Sequence, residues 1–314
     1  MENNIYDLAI LGAGPAGICA AIYATRAKLN TIWLDRKFVQ GGQIVDTYEV
    51  DNYPGLPGIT GLDLGEAMAG HAEKLGLKPK REPVLSVTDE GEIKVIRTKK
   101  NEYHARAVII ACGATHRHLG IPGEEELGGM GVSYCATCDA AFFQEGTVAV
   151  VGGGNVAVED AILLSRTCKK VYLVHRRDEL RAAKSIQEKA FKNDKLHFLW
   201  DTVVEEVNGD GILSSMTVKN VKTGELTTIE ADEDDGMFGV FGFIGTIPNS
   251  KVFEGVIDMD ERGYIKSDEN MHTNIPGVFV AGDVRIKSLR QVVTAAADGA
   301  IAATQAEKYI NENE

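Results

Sequence analysis

An internal repeat is the feature of this 314-residue chain that most limits its possible folds. Residues 7–37, DLAILGAGPAGICAAIYATRAKLNTIWLDRK, match residues 147–177, TVAVVGGGNVAVEDAILLSRTCKKVYLVHRR. In both copies a short apolar run, typical of a buried parallel strand, is followed by a glycine turn, a helical stretch and a second apolar run. The repeat therefore predicts two βαβ units and an α/β fold with two Rossmann-like dinucleotide-binding domains.

Each copy carries a dinucleotide fingerprint at the turn after its first strand. Small residues occupy the same three places in both copies: Gly12, Gly14 and Gly17 in the first, and Gly152, Gly154 and Ala157 in the second. They allow a tight turn, a close approach of the backbone to a pyrophosphate, and packing of the helix on the strand. A glycine-rich surface turn is the alternative for a single fingerprint, but two copies in the same context favour nucleotide binding.

The two copies differ in charge where their second strand ends. The first copy has Asp35, a carboxylate that can accept hydrogen bonds from a ribose. The second copy has His175 at the same place, followed by Arg176 and Arg177, whose guanidinium groups can bind a 2′-phosphate. The first copy is therefore expected to bind FAD or NAD and the second NADPH. The alternative is that residues 175–184 form a solvated helix start with ordinary charges.

A third glycine element follows late in the chain, in NIPGVFVAGDV at residues 274–284. An apolar strand there precedes a helix of small residues that could approach a flat ligand, so this segment is expected to complete the first nucleotide site. The second βαβ unit is then an insertion. The predicted boundaries are a first nucleotide domain of residues 1–116 and 246–314 and an inserted domain of residues 117–245. Strands are predicted over 195–231, and the acidic DEDDG at 232–236 is expected to be a solvated loop.

The motif SYCATCD places Cys135 and Cys138 just before the second fingerprint. Zinc would need two further ligands at matching spacing, and the chain has no second CxxC, so we expect no metal site. Two buried structural thiols remain an alternative. A redox disulfide whose first thiol has a lowered pKa suits a chain that also binds two nucleotides. The five cysteines are an odd, sparse set, unlike the frameworks of secreted domains.

The charge and hydropathy of the chain exclude some partners. With 33 basic and 46 acidic residues, the net charge of −13 offers no footprint for nucleic acid or an anionic membrane. No basic leader and no apolar run of about 18 residues is present, so we expect a soluble cytoplasmic protein without membrane contact.

Taken together, the motifs GAGPAG, GGQ, NYPG, ACGA, CATCD, GGGNVAVED, HRRDELRA, FIGTIPN and AGDVRIKSLRQVVTAAADGAIAA are highly specific. Over essentially its whole length the chain resembles the low-molecular-weight, bacterial-type thioredoxin reductases. The resemblance implies a homodimeric flavoprotein that passes electrons from NADPH to FAD, then to the internal disulfide, and then to thioredoxin or a thioredoxin-like protein.

The resemblance also assigns roles to individual residues. The implied FAD site consists of Gly12, Gly14, Gly17, Asp35, Arg36, Gly42, Gln43, Asn52, Ala111, Gly113, Gly282, Asp283, Arg290, Gln291 and Val292. The implied NADPH site consists of Gly152, Gly154, Asn155, Ala157, His175, Arg176, Arg177 and Arg181. Cys138 would face the flavin, Cys135 would attack the partner's disulfide, and Asp139 would serve as the acid and base for the thiol protons. Asp139 could instead be a helix N-cap or a first-turn acid.

The sequence departs from the family pattern at two positions. Val156 stands where the family has a hydroxyl that can bond nucleotide phosphates, and Ala140 stands where glycine commonly follows the aspartate. The remaining cysteines, Cys19, Cys112 and Cys168, are expected to be small core residues.

Three other functions stay open at this point. The first is a relative that takes electrons from ferredoxin, which the His-Arg-Arg run of residues 175–177 argues against. The second is a reductase of a peroxidase system, whose extra N-terminal disulfide module has no room before a fingerprint that starts at residue 12. The third is a non-catalytic flavoprotein or nucleotide sensor, which the complete cysteine pair disfavours.

Overall fold

The first copy of the repeat folds as strand β1 (Ile5–Leu11), helix α1 (Pro15–Arg26) and strand β2 (Thr31–Asp35) in the computed structural model. The structure describes residues 5–47, 50, 52–231 and 238–313, so the acidic run at 232–236 lies outside the described residues. Pro15 begins α1, where its missing N–H leaves no helical hydrogen bond unmade. The predicted order of strand, turn, helix and strand is confirmed.

In its described part, the chain then continues through one α-helix and five strands before it reaches the inserted segment. These are α2 (Gly61–Lys74), β3 (Lys80–Arg81), β4 (Val84–Glu90), β5 (Ile93–Thr98), β6 (Glu102–Ile110) and β7 (Ala114–His116). Helix α2 begins after Thr60, whose side-chain oxygen accepts a hydrogen bond from the Asp63 amide at 3.0 Å. This contact satisfies one of the unpaired amides at the helix start.

Among the residues that the structure describes, the second copy of the repeat lies within a run of three α-helices and eight strands. These are β8 (Val132–Ser133), α3 (Ala136–Asp139), β9 (Thr147–Val151), α4 (Asn155–Leu164), β10 (Lys170–Val174), α5 (Lys184–Phe191), β11 (Leu196–Leu199), β12 (Thr202–Gly209), β13 (Leu213–Asn220), β14 (Leu226–Glu230) and β15 (Phe238–Gly242). The strands predicted over 195–231 are confirmed. The C-terminal part contributes β16 (Thr246–Pro248), β17 (Val278–Val280) and α6 (Val292–Glu312).

Two sheets with parallel centres hold the two repeats. In the first, the order is β3-β2-β1-β6-β5-β4, and β17 also pairs with β6. Strands β5 and β17 use different parts of β6: β5 pairs antiparallel along Glu102–Ala105, and β17 pairs parallel along Val108–Ile110. The second sheet has the all-parallel order β11-β10-β9-β15-β8. Strands β12, β13 and β14 form a separate antiparallel sheet, and β7 pairs with β16.

The contacts within the chain group it into two compact units. The first unit comprises residues 1–45, 59–115 and 247–314, and the second comprises 46–58 and 116–246. The first unit's sheet is buried between two apolar clusters, one of which contains Leu8, Ile10 and Trp33 with α1 and α6. The second unit has two clusters of its own, on the two sides of β9 and β15.

Small residues let α6 pack closely on α1 in the first unit. A Cβ on Gly299 would lie 2.1 Å from the carbonyl oxygen of Ala16, a distance that no side chain can occupy. The small-residue composition of α6 therefore serves helix packing as well as any ligand. Among the described residues, no helix is both long enough and apolar enough to cross a membrane.

Candidate active site and cofactor sites

The three glycines of the first fingerprint have different surroundings. Gly12 has φ +113°, and a Cβ there would lie 2.3 Å from the carbonyl oxygen of Ala111; a Cβ on Gly17 would lie 1.9 Å from the carbonyl oxygen of Gly12. These two positions are closed by the protein's own backbone. A Cβ on Gly14 would meet only the Cα of Gly42, at 3.8 Å, so the space beside the second glycine is open to a ligand.

The second fingerprint divides its space in the same way. A Cβ on Gly152 would lie 2.7 Å from both the Ala157 Cβ and the carbonyl oxygen of Phe243, whereas a Cβ on Gly154 would meet no heavy atom within 4 Å. Val156 follows in the first turn of α4 and is 60% exposed. Both loops thus leave open the position where a Rossmann fingerprint brings its backbone to a pyrophosphate.

The structure separates His175 from the arginines that follow it. The His175 side chain is buried, and a Cβ on Gly153 would lie 2.3 Å from its Cε1, so the ring packs under the fingerprint loop. Burial, and then the positive charge of Arg181, lowers its pKa, which keeps the ring neutral. Arg176 and Arg177 are exposed.

Backbone contacts bring the arginine segment to the second fingerprint. The carbonyl oxygen of Gly153 accepts hydrogen bonds from the amides of Arg181 and Ala182, at 2.8 and 3.1 Å. The Asn155 Oδ1 accepts a third, from the Ala183 amide at 2.8 Å. Residues 175–183 therefore form an arm that begins at the end of β10 and closes on the start of α4. They do not form the helix start considered as the alternative, since α5 begins only at Lys184.

Asp35 ends β2 in the first unit, as predicted. Burial raises the pKa of its carboxyl group, and hydrogen bonds from the Arg36 and Lys37 backbone oppose this effect. Gln43 lies after the two glycines of the GGQ motif, and its Nε2 donates to the carbonyl oxygen of Ala114. Asn52 lies in the segment 46–58, which groups with the second unit.

The late glycine element places its predicted residues around the start of α6. Burial raises the pKa of Asp283, while the charges of Lys287 and Arg290 lower it. The Arg290 guanidinium lies 4.3 Å from the centre of the Tyr264 ring, and its Nε donates to the carbonyl oxygen of Asp283 at 3.4 Å. Gln291 caps α6 in a reciprocal capping box with Thr294.

The remaining predicted residues of this site lie in backbone turns. Val292 is the first residue of α6. Ala111 follows β6 and donates its amide to the carbonyl oxygen of Leu11 at 2.8 Å, and Gly113 has φ +66° and accepts from the Asn249 amide at 3.0 Å.

A buried ionic cluster that the sequence analysis did not identify supports the Asp283 loop. Asp298 on α6 accepts hydrogen bonds from Arg285 at 2.9 and 3.1 Å, from Lys287 at 2.8 Å and from the Gly282 amide at 3.0 Å. Burial raises the pKa of Asp298, but the hydrogen bonds and the charges of Arg285 and Lys287 together hold it below its usual value. Asp298 is the one acid in the alanine-rich first half of α6, residues 292–303, and this is the signal that could have indicated a partner for the preceding basic residues.

Cys135 and Cys138 form a disulfide at the start of α3, with their Cα atoms 5.3 Å apart. Both cysteines are half-buried, so burial does not separate their roles. The Cys135 Sγ lies 3.4 Å from the Thr137 hydroxyl, a group that could hydrogen-bond a thiolate at that sulfur. Cys19, Cys112 and Cys168 are outside this disulfide, and Cys168 belongs to an apolar cluster.

Asp139 does not cap a helix with its side chain. Its Oδ2 accepts a 2.5 Å hydrogen bond from the Ser133 hydroxyl, and its Oδ1 is buried. Burial raises the pKa of Asp139 to about 6, and the Ser133 hydrogen bond opposes this effect. The carboxyl group lines a cavity of about 140 Å³ whose other walls include Met130, Phe142 and Ile212.

Tyr134 anchors the cysteine segment to the preceding loop in the second unit. Its ring stacks on His116 at a centroid distance of 5.3 Å, and its hydroxyl donates to the buried carboxylate of Glu124. The same carboxylate accepts from the amides of Leu119 and Gly120, each at 2.6 Å. Sequence reasoning assigned no role to Tyr134 or Glu124.

Unpaired buried polar atoms mark all three predicted sites. Of the residues that the structure describes, four have a buried side-chain nitrogen or oxygen without a hydrogen-bond partner: Gln43 (Oε1), Asp139 (Oδ1), His175 (Nε2) and Asp283 (Oδ1). Such an atom costs about 1–3 kcal/mol when it stays unpaired. All four were predicted site residues. At Gln43, Asp283 and His175 the sites therefore fit bound nucleotides that would supply the missing partners.

Comparison with known proteins agrees with this arrangement. The profile of the pyridine nucleotide-disulphide oxidoreductases matches residues 6–299. A thioredoxin reductase of Peptoclostridium acidaminophilum is 58% identical over 99% of both chains. The crystal structure of thioredoxin reductase from Streptococcus pyogenes MGAS5005 is 43% identical and superposes with a TM-score of 0.93 over 99% of this chain and 100% of that one.

A ferredoxin-flavin thioredoxin reductase from Clostridium acetobutylicum is more distant, with 30% identity and a TM-score of 0.53 over 98% of both chains. The resemblance to bacterial-type thioredoxin reductases, and the two-domain α/β fold that it implies, are thereby confirmed. The chain belongs to the pyridine nucleotide-disulphide oxidoreductase family.

Proposed function

We propose that this protein is an NADPH-dependent thioredoxin-disulfide reductase, which uses FAD and the Cys135–Cys138 disulfide to reduce thioredoxin or a thioredoxin-like protein. The observation that carries the proposal is the placement of the four unpaired buried atoms. Two of them belong to the implied FAD site, one to the implied NADPH site and one to the residue next to the disulfide. A protein that only sensed a nucleotide would have no use for the last of these.

The two units would hold different nucleotides. We assign FAD to residues 1–116 and 246–314, where the open space at Gly14 would admit the pyrophosphate, and Gln43 and Asp283 would bond the cofactor with their unpaired oxygens. We assign NADPH to residues 117–245, where Gly154 offers the second open position. When bound, these two cofactors would supply the hydride and the electrons that reduce the disulfide.

The arm of residues 175–183 would give the protein a preference for NADPH over NADH. Arg176 and Arg177 are exposed on it, and its backbone contacts with Gly153 hold them near the phosphate loop. Guanidinium groups bind a phosphate with paired, charge-assisted hydrogen bonds, and a ribose without the 2′-phosphate would forgo them. The buried neutral His175 would contribute through its unpaired Nε2.

Two thiol–disulfide exchanges would complete the reaction. The reduced Cys135 thiolate attacks one sulfur of the partner's disulfide, so that a mixed disulfide forms and the partner's first thiolate leaves. Cys138 then attacks Cys135, which restores the internal disulfide and releases the partner's second thiolate. Each departing thiolate takes one proton. In sum, NADPH, one proton and an oxidised thioredoxin give NADP⁺ and a thioredoxin with two thiols.

Asp139 would move these protons. With a pKa of about 6, its carboxyl group exchanges protons readily near neutral pH, where a carboxyl with an ordinary pKa would be almost fully ionised. The Thr137 hydroxyl, 3.4 Å from the Cys135 Sγ, could stabilise the attacking thiolate. That contact supports Cys135 as the attacking cysteine and Cys138 as the one that accepts electrons from the flavin.

A ferredoxin-dependent reductase is the alternative in the same family. The exposed Arg176 and Arg177 favour NADPH, and the chain is more similar to the relatives named only thioredoxin reductase, at 58% and 43% identity, than to the ferredoxin-flavin enzyme, at 30%. The family resemblance further leads us to propose a cytoplasmic homodimer.

An anaerobic titration tests the function. The purified protein should be yellow, should lose its flavin absorbance on addition of NADPH, and should oxidise NADPH continuously when oxidised thioredoxin is added. Cys135→Ser/Cys138→Ser is the matched control, since it should keep the flavin reduction and lose the thioredoxin-dependent turnover. Bleaching by reduced ferredoxin but not by NADPH would instead support the alternative.

A further inference from the structure

Ser133 forms hydrogen bonds with the first and the last residue of the CATCD motif, Cys135 and Asp139. It is the last residue of β8, and only 6% of it is exposed. Its Oγ accepts a hydrogen bond from the Cys135 amide at 3.1 Å and donates to the Asp139 Oδ2 at 2.5 Å. One hydroxyl thus contacts both the backbone of the attacking cysteine and the carboxyl group of the acid.

The Ser133 hydroxyl has one hydrogen, and its direction determines which oxygen of Asp139 can carry a proton. The carbonyl oxygen of Cys135 is a competing acceptor, but it lies 3.4 Å away, much farther than the Asp139 Oδ2. The hydrogen therefore points to Oδ2, which stays an acceptor in both protonation states. Oδ1 is buried and has no hydrogen-bond partner, so it is the oxygen on which a proton can be placed.

We propose that Ser133 is a positioning residue for the proton transfer: its hydrogen bond to Oδ2 leaves Oδ1 of Asp139 as the atom that gives and takes the proton. Through its bond with the Cys135 amide, the same hydroxyl fixes this acid relative to the attacking cysteine. The inference rests on the proposed function, since it names a further residue for the same reaction.

The surroundings of Asp139 leave Ser133 as its principal polar contact. The cavity walls are Gly129, Met130, Gly131, Val132, Phe142, Phe143 and Ile212, together with Ser133 and Asp139 themselves. Asp139 is the one ionisable group among these lining residues. Helix α4 packs against α3 and carries Glu159 and Asp160, but neither charge contributes to the pKa of Asp139, which depends on burial and on Ser133. Strands β8 and β15 have no ionisable residue.

The proposed step balances without another reactant. When Cys135 attacks the partner, the partner's S–S bond breaks, and the proton moves from Asp139 Oδ1 to the departing sulfur. Asp139 becomes a carboxylate, which the Ser133 hydrogen bond stabilises. As Cys138 attacks Cys135, Asp139 takes the proton of the Cys138 thiol, gives it to the second departing thiolate, and then recovers one proton from solvent. Each turnover thus uses the hydride of NADPH and one proton from solvent, and Asp139 returns to its protonated starting state.

Ser133→Ala in the full-length holoenzyme tests the inference. The carboxylate loses its hydrogen bond, so the pH midpoint of kcat for thioredoxin reduction should move upward by about one pH unit. Because the Asp139 carboxyl group also loses its fixed orientation, kcat at pH 7 should fall by about tenfold. This loss is smaller than the full rate enhancement that general acid catalysis provides. The KM for NADPH and the NADPH-dependent reduction of ferricyanide, which bypasses the disulfide, should not change.

Three further variants separate positioning from a merely structural role. Ser165→Ala removes another buried hydroxyl of the second unit, one that donates to the Ile162 carbonyl, and it should leave the pH profile unchanged. Ser133→Thr keeps the hydroxyl and should keep the wild-type midpoint. In an Asp139→Asn background, Ser133→Ala should cause no further loss, because the two residues act as one unit.

A wild-type pH profile for Ser133→Ala would overturn the inference. So would a kcat of the Ser133→Ala/Asp139→Asn double variant that falls by the product of the two single losses. If Ser133→Ala does not fold, Ser133→Thr decides the matter, since a shifted midpoint despite the retained hydroxyl refutes the positioning role. Failure of the proposed function is distinguishable from either result, because the wild-type protein itself would then show no NADPH-dependent thioredoxin reduction.

Discussion

Gly154→Ala should separate nucleotide binding from stability in the second unit. Gly154 has φ −88° and ψ 178°, a conformation that alanine adopts without strain, and a Cβ there meets no heavy atom within 4 Å. The methyl group would reduce the freedom of the unfolded chain, which stabilises the fold by about 0.4–1 kcal/mol. Alanine is also a poorer N-cap than glycine, and this costs roughly 0.5–1 kcal/mol at the start of α4. These effects nearly cancel, so the free energy of unfolding should hardly change.

The same methyl group should weaken NADPH binding. It would occupy the open space in which the backbone of a Rossmann fingerprint contacts the pyrophosphate. Forcing one extra methyl group into a filled contact costs about 1–3 kcal/mol, which corresponds to a roughly 5- to 150-fold increase in Kd.

Calorimetric titration with NADP⁺ measures the Kd, and thermal denaturation measures the stability. Two variants serve as controls. Gly152→Ala places its Cβ 2.7 Å from Ala157 and Phe243 and should lower Tm, whereas Gly70→Ala, in open space on α2, should leave the Kd unchanged. An unchanged Kd for Gly154→Ala, or a loss of Tm as large as that of Gly152→Ala, would refute the assignment of this space to the nucleotide.

Three other outcomes are expected. Replacing both Arg176 and Arg177 by alanine should raise the KM for NADPH by about tenfold to a hundredfold, the loss of a charge-assisted contact, and leave that for NADH nearly unchanged; steady-state kinetics would contradict this if both rose equally. Cys138→Ser should leave Cys135 able to trap a thioredoxin that lacks its own resolving cysteine, seen as a mixed disulfide on a non-reducing gel, and trapping by Cys135→Ser instead would reverse the roles. Because burial raises the pKa of Asp139 from 3.8 to about 6 in the oxidised protein, the stability linked to its protonation is complete below about pH 4 and is lost as the pH rises through 6. Asp139→Asn should therefore exceed the wild type in unfolding free energy at pH 7 by up to about 3 kcal/mol, and denaturant titrations at pH 4.5 and 7 that gave equal differences would contradict this.

The sequence predicted the backbone of the sites better than the side-chain environments. The strand, turn and helix of both repeats follow from apolar runs and glycines, which act locally, so their positions could be predicted. The fate of His175 could not, because a ring in that register can point outward beside Arg176 or inward under Gly153, and only the packing of the loop decides this. The sequence analysis had grouped His175 with the arginines, but the structure places it beneath the loop.

The hydroxyl of Ser133 and the carboxylate of Asp298 were missed for a related reason. Ser133 hydrogen-bonds to Asp139, which lies on the other side of the cysteine pair in the sequence. Asp298 binds Arg285, which precedes the start of α6. Turns and helix packing bring the members of each pair together. Neither pair has a spacing that a helical or strand period would connect. By contrast, the cysteine pair could be predicted because its chemistry is confined to four consecutive residues.

The pairing of β17 with β6 has a consequence for the order of folding during synthesis. Val278 on β17 pairs with Val108 on β6, so the first sheet contains a contact of very long sequence separation. All five strands of the second sheet lie between Val132 and Gly242 and can pair while the ribosome is still making the C-terminal part. Domains generally fold as units as they emerge, and distant pairings are slow because the intervening chain must first be ordered. The nascent first sheet thus keeps the Val108–Ile110 part of the β6 edge unpaired until β17 emerges, and a stalled chain would expose that edge to aggregation.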